Sequence, residues 1–162
     1  MRLTTINHQT RQPETRSATG PTIQSRGTIL VVDDDSDVRL MTQIALENDG
    51  YAVITAANAL EGLMLFAKHI SAQFTHINSA RVDAAVIDLK MPGMHGLELA
   101  AKLRSQTPNL PIVAISGYGQ QDFDTHVCRS AASTFLPKPF RLADLRQQIN
   151  SLLEDAMTKT TG

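Results

Sequence analysis

The chain of 162 residues holds one cysteine, Cys128, so no intrachain disulfide can form and a reducing compartment, the cytoplasm, is expected. No apolar run exceeds five residues; Ile29–Val32 and Ile112–Ile115 are typical. A membrane helix needs ~20, and a secretory signal also needs a longer core than this. Net charge is lacking too: 15 basic side chains stand against 16 acidic ones, a formal −1. That balance argues against a nucleic-acid backbone or an anionic membrane as main partner. The five histidines (His8, His69, His76, His95, His126) lack zinc-ligand spacing. No internal repeat or low-complexity block appears.

What is present suits one globular domain: 42% of residues are apolar and 19% charged. The charge is uneven. Residues 1–26 hold four Arg and one Glu, so this stretch is +3 and the remainder −4. Rich in Thr, Gln and Arg, broken by Pro13 and Pro21 and without apolar period, residues 1–26 read as a disordered tail. The folded domain is expected over 27–157, with a flexible end at 158–162.

From Thr28 onward, short β-branched runs alternate with helical patterns. Strands are expected at Thr28–Val32, Tyr51–Thr55, Ala84–Asp88, Pro111–Ser116 and Ser133–Leu136. A first helix follows Ser36, its possible cap, with Val38, Met41, Ile44 and Ala45 inward. Asn58 caps a second, with Leu60, Leu63, Met64, Ala67 and Ile70 inward. A third carries Leu97, Ala100, Ala101 and Leu103, a fourth covers about 122–132, and Leu142, Leu145, Ile149, Leu152 and Leu153 stripe the last. Nearly continuous apolar strands alternating with helices imply a parallel sheet covered on both faces.

Such sheets place their sites beyond the carboxyl ends of the strands. The residues there are Asp33, Asp34, Asp35, Asp88, Ser116 and Lys138. Asp35, like Asp37, reads as a helix cap or Asx turn. Clustered carboxylates repel one another unless a cation joins them, and oxygen-only donors suit Mg²⁺. Asp33, Asp34 and Asp88 balance Mg²⁺ plus Lys138 to zero charge. The arrangement suits phosphoryl transfer to a carboxylate, with Ser116 and backbone N–H groups answering the added charge.

The stretches ILVVDDDSDVR, VIDLKMPGMHGLEL, PIVAISGYG and FLPKPF resemble the receiver domain of bacterial two-component response regulators, over about residues 27–155. The resemblance implies a flavodoxin-like, doubly wound five-stranded sheet of order 2-1-3-4-5 with helices on both faces. It implies that Asp88 accepts the phosphoryl group and that Asp33, Asp34 (the direct ligand), Asp88 and the Lys90 backbone carbonyl hold Mg²⁺. Ser116 and Phe135 match the switch pair, Lys138 matches the lysine that pairs with the phosphoryl group, and Lys138–Pro139 is expected cis. The implied donor is a histidine kinase or a histidine phosphotransfer protein docking near Val38, Arg39, Met41 and Thr42. Output is implied through the face of the fourth helix, fifth strand and last helix, in a monomer or a phosphorylation-dependent dimer.

Such a domain phosphorylates and dephosphorylates itself and is not a turnover enzyme. Three features depart from the usual pattern: His95 in place of Asp, Ala131-Ala132 in place of Gly-Ala, and a long link over 69–81. A stand-alone, single-domain receiver acting through protein contacts is expected. The alternatives are a receiver fragment of a hybrid histidine kinase and a Mg²⁺-dependent phosphohydrolase with an aspartyl-phosphate intermediate, drawing on Asp33-Asp34-Asp35.

Overall fold

The computed structural model describes residues 25–72, 81–117 and 132–160. Strands β1 (Thr28–Val32), β2 (Ala52–Ala56), β3 (Val82–Asp88), β4 (Ile112–Ser116) and β5 (Ser133–Pro137) form one sheet of order β2-β1-β3-β4-β5. All four pairings are parallel. Helices α1 (Ser36–Asn48), α2 (Ala59–Ala72), α3 (Gly96–Gln106) and α4 (Leu142–Thr160) pack around it. The expected sheet order and fold class are thus observed. Most of the expected tail, and the helix expected at about 122–132, lie outside the described residues.

The central strands β1, β3 and β4 are buried almost end to end because both faces are covered there, whereas the edge strands β2 and β5 are mostly half-buried. Leu30 and Val32 of β1 enter one core layer with Phe66 of α2 and Leu99 and Leu103 of α3. Their neighbours Ile29 and Val31 enter the other, with Leu46 of α1 and Leu145 and Ile149 of α4. Each fully buried side chain of this size contributes roughly 1.5–3 kcal/mol, so both layers pin the strand. Order begins before β1: Arg26 N–H donates to the Gly50 carbonyl (2.9 Å), and the Arg26 guanidinium lies 4.8 Å from the Tyr51 ring centroid. On the same side, Arg146 of α4 forms a double hydrogen bond with Asp49 beyond α1 and holds the Asp49 carboxyl below the usual range.

Two helix faces differ from the sequence reading. On α1 the buried residues are Thr42 and Leu46, while Leu40, Met41 and Ile44 face solvent. Apolarity alone favours Met41 and Ile44, but the inward row runs through a threonine. On α2, Ala59, Gly62 and Phe66 are buried, and Leu60, Met64 and Ala67 are exposed. At its start the inner row is made of the small Ala59 and Gly62 because α2 lies close on β1 there: a Cβ at Gly62 would stand 3.0 Å from Val32 Cγ2. On α3, Ala101 is exposed although expected inward, and Leu99, which the sequence did not single out, is buried with Ala100 and Leu103.

The caps follow the short polar side chains. Asp35, not Ser36, caps α1, accepting from the Asp37 and Val38 N–H groups; these bonds hold its carboxyl below the usual range. Asn58 accepts from the Glu61 N–H before α2 (2.9 Å). At α3 the cap is His95, whose Nδ1 accepts from the Leu97 N–H at 3.2 Å. Imidazole is not among the strong caps. His95→Asn should therefore raise stability by about 0.5–1 kcal/mol, read as a higher thermal midpoint. An unchanged or lower midpoint counts against this role for His95.

Candidate functional site

The ends of β1 and β3 bring three carboxylates to one edge of the sheet. Asp33 follows β1, Asp34 comes next, and Asp88 closes β3. One oxygen from each lies within 4.8 Å of the others. Asp33 is 2% and Asp88 4% exposed, whereas Asp34 faces solvent. Buried carboxylates require partners. Asp33 Oδ1 accepts from the Asp35 N–H (2.9 Å), and Asp88 Oδ1 from the Lys90 N–H (3.1 Å). Lys138 Nζ bridges the remaining two oxygens, 2.8 Å from Asp88 Oδ2 and 3.0 Å from Asp33 Oδ2.

These contacts set the charge balance. Burial pushes the Asp33 carboxyl up, against the pull of the Asp35 N–H and Lys138, and the net shift is upward. Burial opposes the Lys138 charge, but hydrogen bonds to Asp88 and Asp33 outweigh it and raise the ammonium above its usual value. Three carboxylates and one lysine leave an excess of negative charge at an all-oxygen site. That donor set fits a hard divalent ion such as Mg²⁺.

Neighbouring strand ends place the remaining candidates. Lys138 N–H donates to the Ser116 carbonyl (2.8 Å), closing β5 on β4, and the Lys138–Pro139 bond is cis as expected. Asp88 pairs with Ile115, so the buried Ser116 stands one residue beyond that partner. Lys90 is exposed in the loop after β3. Phe135 is half-buried opposite Ala114, back within the sheet. A separate cleft of about 530 Å³, lined by Arg26, Asp49, Arg146, Asn150 and Glu154 among others, shares no residue with this edge.

Two residues at the edge escaped the sequence reading as parts of the site. Arg39 Nη1 donates to the Asp33 carbonyl at 2.6 Å. Gly96 opens α3 directly on the Asp88 backbone: a Cβ there would lie 2.2 Å from the Asp88 carbonyl oxygen and 2.7 Å from Leu89 Cα. Backbone cannot swing aside as a side-chain tip can. Gly96→Ala should cost about 2 kcal/mol in urea unfolding and move the Asp88 amide resonance. Parent-like stability would show that α3 can shift without disturbing Asp88.

A five-stranded parallel sheet of this order, with carboxylates and a lysine gathered at its carboxyl edge, defines a receiver-type α/β domain. The chain belongs to the response regulator receiver domain family, whose model matches residues 29–150. It is 35% identical over 125 residues to the response regulator MprA of Mycobacterium sp. (strain KMS), covering 77% of this chain and 50% of that protein. It is 32% identical over 132 residues to the sensor kinase CckA of Brucella abortus (strain 2308), covering 82% of this chain and 13% of that one. The chain therefore spans about half or less of these two curated relatives. A CheY-like receiver domain protein from Methanospirillum hungatei JF-1 superposes with a TM-score of 0.67 at 29% identity, covering 82% of this chain and 98% of that one. The role is that of a phosphoacceptor domain in two-component signalling, a class that receives phosphate from kinases and is not generally a turnover enzyme. Among the described residues no helix is long and apolar enough to cross a membrane.

Proposed function

We propose that Asp88 accepts a phosphoryl group from a phosphohistidine of a histidine kinase or a histidine phosphotransfer protein, and that the domain later loses it by hydrolysis of its own aspartyl phosphate. A carboxylate oxygen of Asp88 forms the new O–P bond as the donor's N–P bond breaks. Asp33, Asp34, Asp88 and the Lys90 carbonyl would hold Mg²⁺, which supplies charge neutralisation at the transferring oxygens. Lys138 stays paired with Asp88 and meets the added negative charge. Ser116 and Phe135 form the switch, and the face that includes β5 and α4 carries output. The exposed Leu40, Met41 and Ile44 of α1 offer the docking partner an apolar strip.

The observation that carries this reading is Lys138 Nζ held between Asp33 and Asp88 beside a third carboxylate. The test is an amide spectrum of the full chain with Mg²⁺ and beryllofluoride, a mimic of the aspartyl phosphate. Shifts at Leu89, Lys90 and Ser116 are expected. A spectrum unmoved by both additions overturns the reading.

A further inference from the structure

The geometry points to Arg39 as a positioning residue for the cation-binding pair Asp33-Asp34, acting through the peptide between them; this rests on the reading above. Arg39 lies half-buried on the first turns of α1, its own N–H donating to the Asp35 carbonyl (3.0 Å). Its guanidinium reaches back to the Asp33 carbonyl oxygen at 2.6 Å, a charge-assisted bond. A peptide unit is rigid, so a fixed Asp33 carbonyl also fixes the nitrogen and Cα of Asp34. The flanking groups are tied as well. Asp33 N–H donates to the Ala56 carbonyl (3.3 Å), and Asp35 N–H to Asp33 Oδ1 (2.9 Å). The Asp34 carboxylate is exposed, so its aim depends on the backbone that carries it.

The charge of Arg39 and its position have opposite consequences. A guanidinium bound to the Asp33 carbonyl puts positive charge next to the cation-binding pair, so its removal, taken as charge alone, tightens Mg²⁺ binding. If Arg39 positions the pair, its removal loosens binding. The experiment is calorimetric titration of the full chain with Mg²⁺ alone, after melts have shown each variant folded. Arg39→Ala and Arg39→Met should bind about ten-fold more weakly, the scale of a lost outer-shell partner. Arg39→Met keeps the apolar stem and covers the case in which truncation to alanine unfolds α1. Arg39→Lys, which retains a donor and the charge, should recover most of the affinity.

Parent-like or tighter binding by Arg39→Met, in a parent that binds Mg²⁺, overturns the positioning role and leaves the phosphoacceptor reading intact. Arg39→Lys binding as weakly as Arg39→Met overturns it too. A parent that binds no Mg²⁺ removes both.

Discussion

Asp88→Asn should abolish phosphoryl uptake. With a small acyl phosphate donor and Mg²⁺, the parent should acquire one acid-labile phosphoryl group, and the variant should stay at background. Asparagine keeps the size of the side chain but offers an amide that cannot form the acyl phosphate. The fold should tolerate the change, because the amide oxygen can still accept from the Lys90 N–H or Lys138, which Asp88 Oδ1 and Oδ2 now do at 3.1 and 2.8 Å. Removing one of three crowded carboxylates also relieves repulsion, so the metal-free melting point should equal or exceed that of the parent. Mg²⁺ should then raise the variant's melting point less than the parent's, since stabilisation by a ligand follows its affinity for the folded state. Labelling that persists at the parental level would move the acceptor to Asp33 or Asp34.

Why Asp88 was legible in the sequence, and Arg39 and Gly96 were not, follows from where each interaction lies. Asp33, Asp88, Ser116 and Lys138 each stand at the abrupt end of an apolar run, so the sheet order alone brings them to one edge. Arg39 acts on a main-chain carbonyl, which leaves no trace in side-chain patterns. Gly96 matters because α3 enters against the Asp88 backbone, an approach set by tertiary packing. The same division explains the helix faces. Burial of the central strands β1, β3 and β4 was readable because two covered faces leave few polar positions. The inner rows of α1 and α2 pass through Thr42 and Gly62, which a reading by apolarity skips.

Lys138→Met should expose the electrostatic strain that the lysine relieves. Methionine approximates the stem and removes the ammonium, leaving Asp33 and Asp88 buried without their shared donor. Breaking a buried pair costs about 3–5 kcal/mol; Lys138 keeps 26% of its side chain exposed, so a loss of about 2–3 kcal/mol is expected in metal-free buffer. The loss should depend on pH with a definite sign. Burial already holds the Asp33 carboxyl above its usual value while Lys138 pulls it down, so the variant's Asp33 rises further. A carboxyl raised in the folded state keeps a proton that the unfolded chain releases near pH ~4. Its contribution is fully present below that value and drains away as pH climbs through the raised one. The gap to the parent should therefore be small at about pH 4 and largest at about pH 7.5, by urea unfolding in the presence of a chelator. Mg²⁺ should narrow the neutral-pH gap by replacing part of the lost positive charge, while phosphoryl uptake remains slower than in the parent. A deficit of equal size at both pH values would mean that Lys138 acts through packing and not through its charge.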